Sequence, residues 1–423
     1  MKVKVLGAGL AGSEAAYQLL KAGFEVDLYE MRPHKMTPAH QTSGFAELVC
    51  SNSLRSNSVT NAVGLLKEEM RRLDSIIMKA ADENQLPAGS ALAVDREQFS
   101  AMVQHELLKF DRLTIINEEV QKLDDSPTII ATGPLTSEAL SNTLQSLTND
   151  PFLSFYDAIA PVISVEGINL DLVYRKSRYD KGTADYLNAP MNQEQFNRFY
   201  EFLVQAPVVT PREFEDVNVF EGCMPIESMA KRGKKTLLFG PLKPVGLEHN
   251  GQRHTAVVQL RQDNAAGNLY NLVGFQTRLT WGAQKELLKL IPGLEQVDIV
   301  RYGVMHRNTY VTAPKLLTPH FQMKEHPNLY VAGQLSGVEG YVESAASGLL
   351  ASLALIDQLQ ARDFIFPPNT MIASMGHYVS HANPHHFQPM NANFGILQTT
   401  TKDKEQRVNQ ALEAIEAYVS KRT

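Results

Sequence analysis

The chain carries two cysteines, Cys50 and Cys223, and they are its most chemically distinctive residues. A thiolate is a strong nucleophile where neighbouring cations depress its pKa. Arg55 follows Cys50; Lys231, Arg232 and Lys234 follow Cys223. The plainer reading of each is a buried thiol acting as a small hydrophobe, but both sit among Gly, Ser, Pro and charged residues. Neither has a CxxC or spaced histidine partner, and the late histidines His377, His381, His385 and His386 lack a cysteine and are interrupted by Pro384, so no metal site is expected. His306-Arg307-Asn308 places an imidazole, a cation and an amide in a row. That run suits either a grip on a small anionic or heteroaromatic ligand, or structural capping. The cations Lys231, Arg232, Lys234 and Lys235 read either as RNA phosphate contacts or as a solvated loop.

These residues need a scaffold, and the first stretch supplies its pattern. Val3 to Leu6 reads as a strand entering the turn Gly7-Ala8-Gly9-Leu10-Ala11-Gly12 and then a helix to Ala22. Gly7 permits the tight turn, Gly9 lets a pyrophosphate approach the backbone, and Gly12 lets the helix pack on the sheet. The helix N-terminus offers N–H groups to phosphate. A second strand, Glu25 to Glu30, ends on a carboxylate near the spacing expected for the acceptor of ribose hydroxyls. Arg32, in the basic loop after it, reads either as a neighbour of the adenosine or as part of a solvated turn. Further along, Thr128 to Ile130 is an apolar strand running into Ala131-Thr132-Gly133, and Asn328 to Val331 is another running into Gly333-Gln334. The two later turns make FAD, rather than NAD, the expected tightly bound nucleotide. Gly64 to Ala81 reads as an amphipathic helix, and Asp95 to Lys109 as a second helix with Asp95 as N-cap and Gln98 at capping-box spacing.

At 423 residues the chain is long for one core. The expected fold is α/β: a Rossmann-type FAD-binding domain, discontinuous in sequence, with an inserted α+β domain. The change of texture near Tyr174 and Tyr302 sets the boundaries at 1–173, 174–302 and 303–423. With two cysteines, no signal-peptide pattern and no apolar run expected to span a bilayer, the reading is a cytoplasmic protein with no membrane partner. The net charge of −6 argues against a general nucleic-acid coat, and DNA is not an expected partner.

Taken in order, Gly7–Glu14, Leu48–Ser53, Phe220–Pro225, Phe239–Pro244, Gly303–Tyr310, Gly333–Tyr341 and Phe387–Phe394 resemble the folate- and FAD-dependent tRNA (uracil-5-)-methyltransferases over essentially the whole chain. One departure is Ala189, where relatives often carry cysteine. The resemblance implies that NAD(P)H reduces FAD and that the one-carbon unit of 5,10-methylenetetrahydrofolate passes by way of the flavin to C5 of uridine 54 in the tRNA T-loop. It implies tRNA, through its T-arm, as partner, with ribosomal RNA as the alternative target and a flavin-dependent small-molecule oxidoreductase as a further alternative. Cys223 is then the expected nucleophile at uracil C6 and Cys50 its acid/base partner, with the reverse assignment, or a role limited to positioning the base, open. His306, Arg307 and Asn308 would face folate or substrate.

Overall fold

The computed structural model describes residues 1–150, 152–181, 183–209 and 224–422. Its first sheet has five parallel strands in the order Leu329–Val331, Thr128–Ile130, Lys2–Leu6, Glu25–Tyr29, Leu113–Ile116. Val3, Val5, Ile129, Ile130 and Val331 are all buried, as expected of parallel strands covered on both faces. The helix Leu10–Lys21 lies against the long helix Tyr341–Leu359, and a side chain at Gly348 would sit 2.2 Å from the Ala11 carbonyl oxygen. The long helix has the length and hydropathy of a membrane span, which the sequence reading did not anticipate; 78% of its apolar window is buried inside the protein, as the core helix of this layer.

A second sheet has six strands in the order Tyr174–Arg175, Leu187–Met191, Ala256–Gln262, Leu269–Leu272, Val162–Ser164, Ile299–Arg301, all antiparallel. It has its own apolar core, running from Ala160 to Leu294, while the first core takes residues from Val3 to Leu144 and again from Tyr310 to Tyr418. The second unit therefore starts ahead of the boundary expected at 174, because Ile163 pairs with Tyr270 and Val162 with Asn271. Two apolar residues and a serine before a loop carry no mark of which sheet they will join. A two-stranded ladder, Leu153–Ala158 with Met305–Tyr310, carries the chain out of and back into the first unit.

The single helix expected over Gly64–Ala81 is two, Ala62–Arg72 and Ile76–Glu83. Asp74 takes a left-handed φ of +57° between them, and Ser75 caps the second by accepting the Met78 N–H. The buried carboxylate of Glu14 accepts from the Ile77 N–H and the Ser75 hydroxyl. A distant acceptor thus supplies the new N-terminus that an unbroken apolar stripe conceals. Asp95 caps Arg96–Leu108 as expected, accepting from the Glu97 and Gln98 N–H groups.

Candidate active site

The three glycines of the opening turn do different things. Gly7 has φ +95°, and a Cβ there would lie 2.6 Å from the Ala131 oxygen; one at Gly12 would lie 1.8 Å from the Gly7 oxygen. These two are fixed by protein packing. A Cβ at Gly9 would meet nothing within 4 Å. Gly9 also begins the first helix, with no side chain capping it. The open space belongs to a cavity of about 430 Å³ lined by Gly7, Gly9, Leu10, Ala11, Glu30, Thr132, Gly133, Gly333 and Gln334. Ala8 and Gly12 support the turn from behind: the Ala8 N–H donates to Glu30 Oε2 at 3.1 Å. Gly133 and Gly333 take φ of +71° and +74° as their strands end, and Gly340 starts the long helix without a side-chain cap. An uncapped helix N-terminus over open space, a carboxylate at one end and two further glycine turns at the other fit a dinucleotide.

Glu30 is more engaged than a simple ribose acceptor. Its carboxylate takes Arg32 Nε at 2.9 Å and Nη2 at 3.0 Å, and Arg32 Nη1 reaches Glu47 at 3.1 Å. Burial opposes its ionisation, yet Arg32 and the Ala8 N–H hold it below the usual carboxylate range. Arg32 is 1% exposed, so it is no solvated turn; it braces Glu30 in the wall of the cavity.

The other end holds Cys50, Asp157, His306, Glu339 and Tyr341. The expected cation beside Cys50 is elsewhere: Arg55 pairs with buried Glu343. Desolvation first, and Asp157 second, push the Cys50 thiol up to about 11. The thiol is therefore protonated at neutral pH, contrary to the activated thiolate expected from Arg55. Glu339, hydrogen-bonded by Gln334 Nε2 at 2.5 Å, is pushed up to about 8 by burial and then by Asp157. Burial lowers the His306 pKa against the pull of Asp157, its partner across the ladder, and His306 Nδ1 makes no hydrogen bond among the described residues.

The His306-Arg307-Asn308 run does not converge. It lies on a strand, so side chains alternate. His306 reaches the cavity, Arg307 is exposed, and Asn308 is buried outside the cavity lining with its amide unpartnered among the described residues. Lys231 ends one short helix and Lys234 and Lys235 begin the next. Lys231, Arg232 and Lys235 are exposed, while Lys234 is spent on Asn197 at 2.7 Å and on the Tyr200 ring. None of the four lines the cavity. Cys223 lies outside the described residues.

The loop bearing Cys50 is pinned between the two cores. Arg96 donates to the Leu48 carbonyl and forms an ion pair with Asp263 at 3.0 Å. Arg261 donates to Asn52 Oδ1 at 3.0 Å and Ser51 Oγ at 2.7 Å, and Asn52 Nδ2 donates to the Gln262 carbonyl at 2.9 Å. Sequence reasoning missed Asp157, Arg261, Glu339 and Tyr341. Glu339 and Tyr341 fall inside the Gly333–Tyr341 turn segment, which was their one available signal; Asp157 had none.

A family model described as glucose inhibited division protein A matches residues 2–363. The methylenetetrahydrofolate–tRNA-(uracil-5-)-methyltransferase TrmFO of Anoxybacillus flavithermus is 60% identical over 431 residues, covering 100% of both chains. The protein of that name from Bacillus subtilis is 60% identical over 424 residues, covering 98% of each. The one from Staphylococcus aureus strain Newman is 58% identical over 427 residues, again 98% of each. Among solved structures, Aquifex aeolicus GidA superposes with a TM-score of 0.73 at 16% identity, over 99% of this chain and 73% of that one, a likeness of fold.

Proposed function

The chain belongs to the glucose inhibited division protein A family and, within it, to the methylenetetrahydrofolate–tRNA-(uracil-5-)-methyltransferases, and we propose that it methylates C5 of a uridine in tRNA. The observation that carries this is 58–60% identity to such enzymes along essentially the full length of the chain. The finer reading is that the uridine is position 54 of the T-loop and that the enzyme works in the cytoplasm.

The residues present fit FAD. Gly7–Gly12 and the N-terminus of the first helix would hold its pyrophosphate, and Glu30 its adenosine ribose. Thr132, Gly133, Gly333 and Gln334 would stand at the flavin end. Bound FAD, reduced by NAD(P)H, supplies the carrier and the electrons that turn the one-carbon unit of 5,10-methylenetetrahydrofolate into a methyl group. The protein's part is to make uracil C5 nucleophilic. A thiolate adding to C6 pushes charge toward C5 and O4, and loss of the C5 proton after transfer lets that thiolate leave. Cys223 is assigned the addition. Cys50, protonated at neutral pH, suits the acid that donates toward the developing charge, and the carboxyl groups of Asp157 and Glu339 line the same end of the cavity to take the C5 proton. His306 stands there for folate or uracil; Arg307 and Asn308 are not given that role. The uridine must leave the T-loop to enter, and exposed Lys231, Arg232 and Lys235 are assigned contacts with RNA phosphates.

The test uses the flavoprotein with 5,10-methylenetetrahydrofolate labelled in its methylene carbon, NADPH, and either unmodified tRNA or ribosomal RNA. Label in 5-methyluridine of tRNA is expected. Label in ribosomal RNA alone would move the target, and label in neither would remove the methyltransferase reading.

A further inference from the structure

The chain has a single tryptophan, Trp281, and it is 61% exposed. It opens the helix Trp281–Lys289, and Thr280 caps that helix by accepting the Ala283 N–H. The indole stacks on the Tyr302 ring, with centroids 4.9 Å apart and planes 20° from parallel. One face of the indole is thus covered by the phenol, and the other is open to solvent. Lys285, one helical turn on, is exposed on the same side of the helix. The pair is fixed in place from behind. The Gly303 N–H donates to Gln284 Oε1 at 2.8 Å, and Gln284 Nε2 donates to the Gly303 carbonyl at 2.9 Å. Those two bonds fasten the helix to the start of the strand Met305–Tyr310, whose His306 lines the cavity. Tyr302 lies four positions before His306, a separation of at most about 14 Å. Arg301, its other neighbour in the chain, is within electrostatic reach of Glu47 and Tyr341, both in the cavity wall. The stacked pair therefore stands at the rim of the cavity end that holds Cys50.

We propose that Trp281, backed by Tyr302, is a stacking platform for an unpaired base of the RNA substrate, and that Lys285 takes a neighbouring phosphate. A uridine that leaves its loop unstacks the bases on either side of it. An indole face restores that stacking whatever the base, because every base has a π face. Lone exposed apolar residues are ordinary on a protein surface. A tryptophan already stacked on a second ring differs from them, since its plane is set in advance and little side-chain freedom is left to lose on binding. The cation one turn away favours a polyanion over an apolar protein segment as the occupant. The proposal rests on reading the chain as a tRNA methyltransferase, and it makes Trp281 a positioning residue, which holds the RNA and takes no part in bond making.

With one tryptophan in the chain, the tryptophan emission of the full-length flavoprotein reports on Trp281 alone. Titration with unmodified tRNA is expected to quench that emission saturably. Trp281→Ala is expected to raise the KM for tRNA roughly 10-fold, while kcat and the rate of NADPH-driven flavin reduction stay at the parent values. Trp281→Phe keeps a ring and should hold KM near the parent value; Trp281→Leu, apolar but without a π face, should behave as Trp281→Ala does. Emission unmoved by tRNA, or a KM for Trp281→Ala equal to the parent's, would overturn the proposal. Emission that changes with protein concentration and not with tRNA would give the face to a second copy of the chain, which overturns it equally. Methyl transfer by the unsubstituted enzyme is assayed in parallel: its absence counts against the methyltransferase reading, whereas quenching by tRNA is a binding measurement and answers for the platform alone.

Discussion

At the scale of the residue, rarity made Cys50 easy to find, and three-dimensional placement decided what it can do. Arg55, five positions on, seemed to offer the charge that activates a thiol; it pairs with Glu343 instead, and desolvation together with Asp157 leaves the thiol protonated. No spacing in the sequence announces that Asp157 will face His306 across a ladder. An acid in this position gives a clear expectation: Cys50→Ala should lower the rate of methyl transfer by roughly 10²- to 10⁴-fold. NADPH oxidation and flavin content should be kept, both read in the same preparation. Glu339 gives a second. Burial and Asp157 raise its pKa to about 8, so a base role is switched off when it is protonated, below that value. Single-turnover methyl transfer should therefore climb as pH rises through about 8 and then level off, and Glu339→Gln should abolish that limb of the profile.

At the scale of the element, the glycine turn was readable because strand, turn, helix and terminal acid follow in a fixed order, and the structure separates what its glycines are for. Gly12 is wanted by the fold, with a backbone oxygen 1.8 Å from where its Cβ would be; Gly9 borders open space and has a φ of −73°, ordinary for any residue. Gly12→Ala should therefore depress the melting temperature of the flavin-free protein. Gly9→Ala should leave that temperature within a degree or two and weaken FAD binding instead. Equal effects of the two on the flavin-free protein would contradict this division. The break after Arg72 was not readable, because its cause, the Glu14 carboxylate, comes from another helix. The same holds for His306-Arg307-Asn308: three polar residues in a row look like one site, and a strand sends neighbours to opposite faces.

At the scale of the whole molecule, the discontinuous first unit was legible from two glycine turns far apart in the chain, whereas the start of the second unit was not, since Val162–Ser164 looks like any short apolar strand. The two cores meet at the Cys50 loop, and the buried Arg96–Asp263 pair ties them there. Removing one partner leaves a buried charge unpaired, so Asp263→Asn should cost about 3–5 kcal/mol. Arg96→Met combined with Asp263→Leu should cost less than the two single losses summed, measured by denaturant unfolding. Joined in this way, the units enclose one cavity running from the Glu30–Arg32 pair past the glycine turns to Cys50, Tyr341 and Glu339, and the central claim is that one-carbon transfer to RNA takes place at its far end. Transfer of the labelled methylene carbon to unmodified tRNA tests this most directly. The account predicts label in 5-methyluridine with the unsubstituted enzyme and its loss on Cys50→Ala while NADPH oxidation continues; label appearing undiminished with Cys50→Ala, or absent from tRNA altogether, would contradict it.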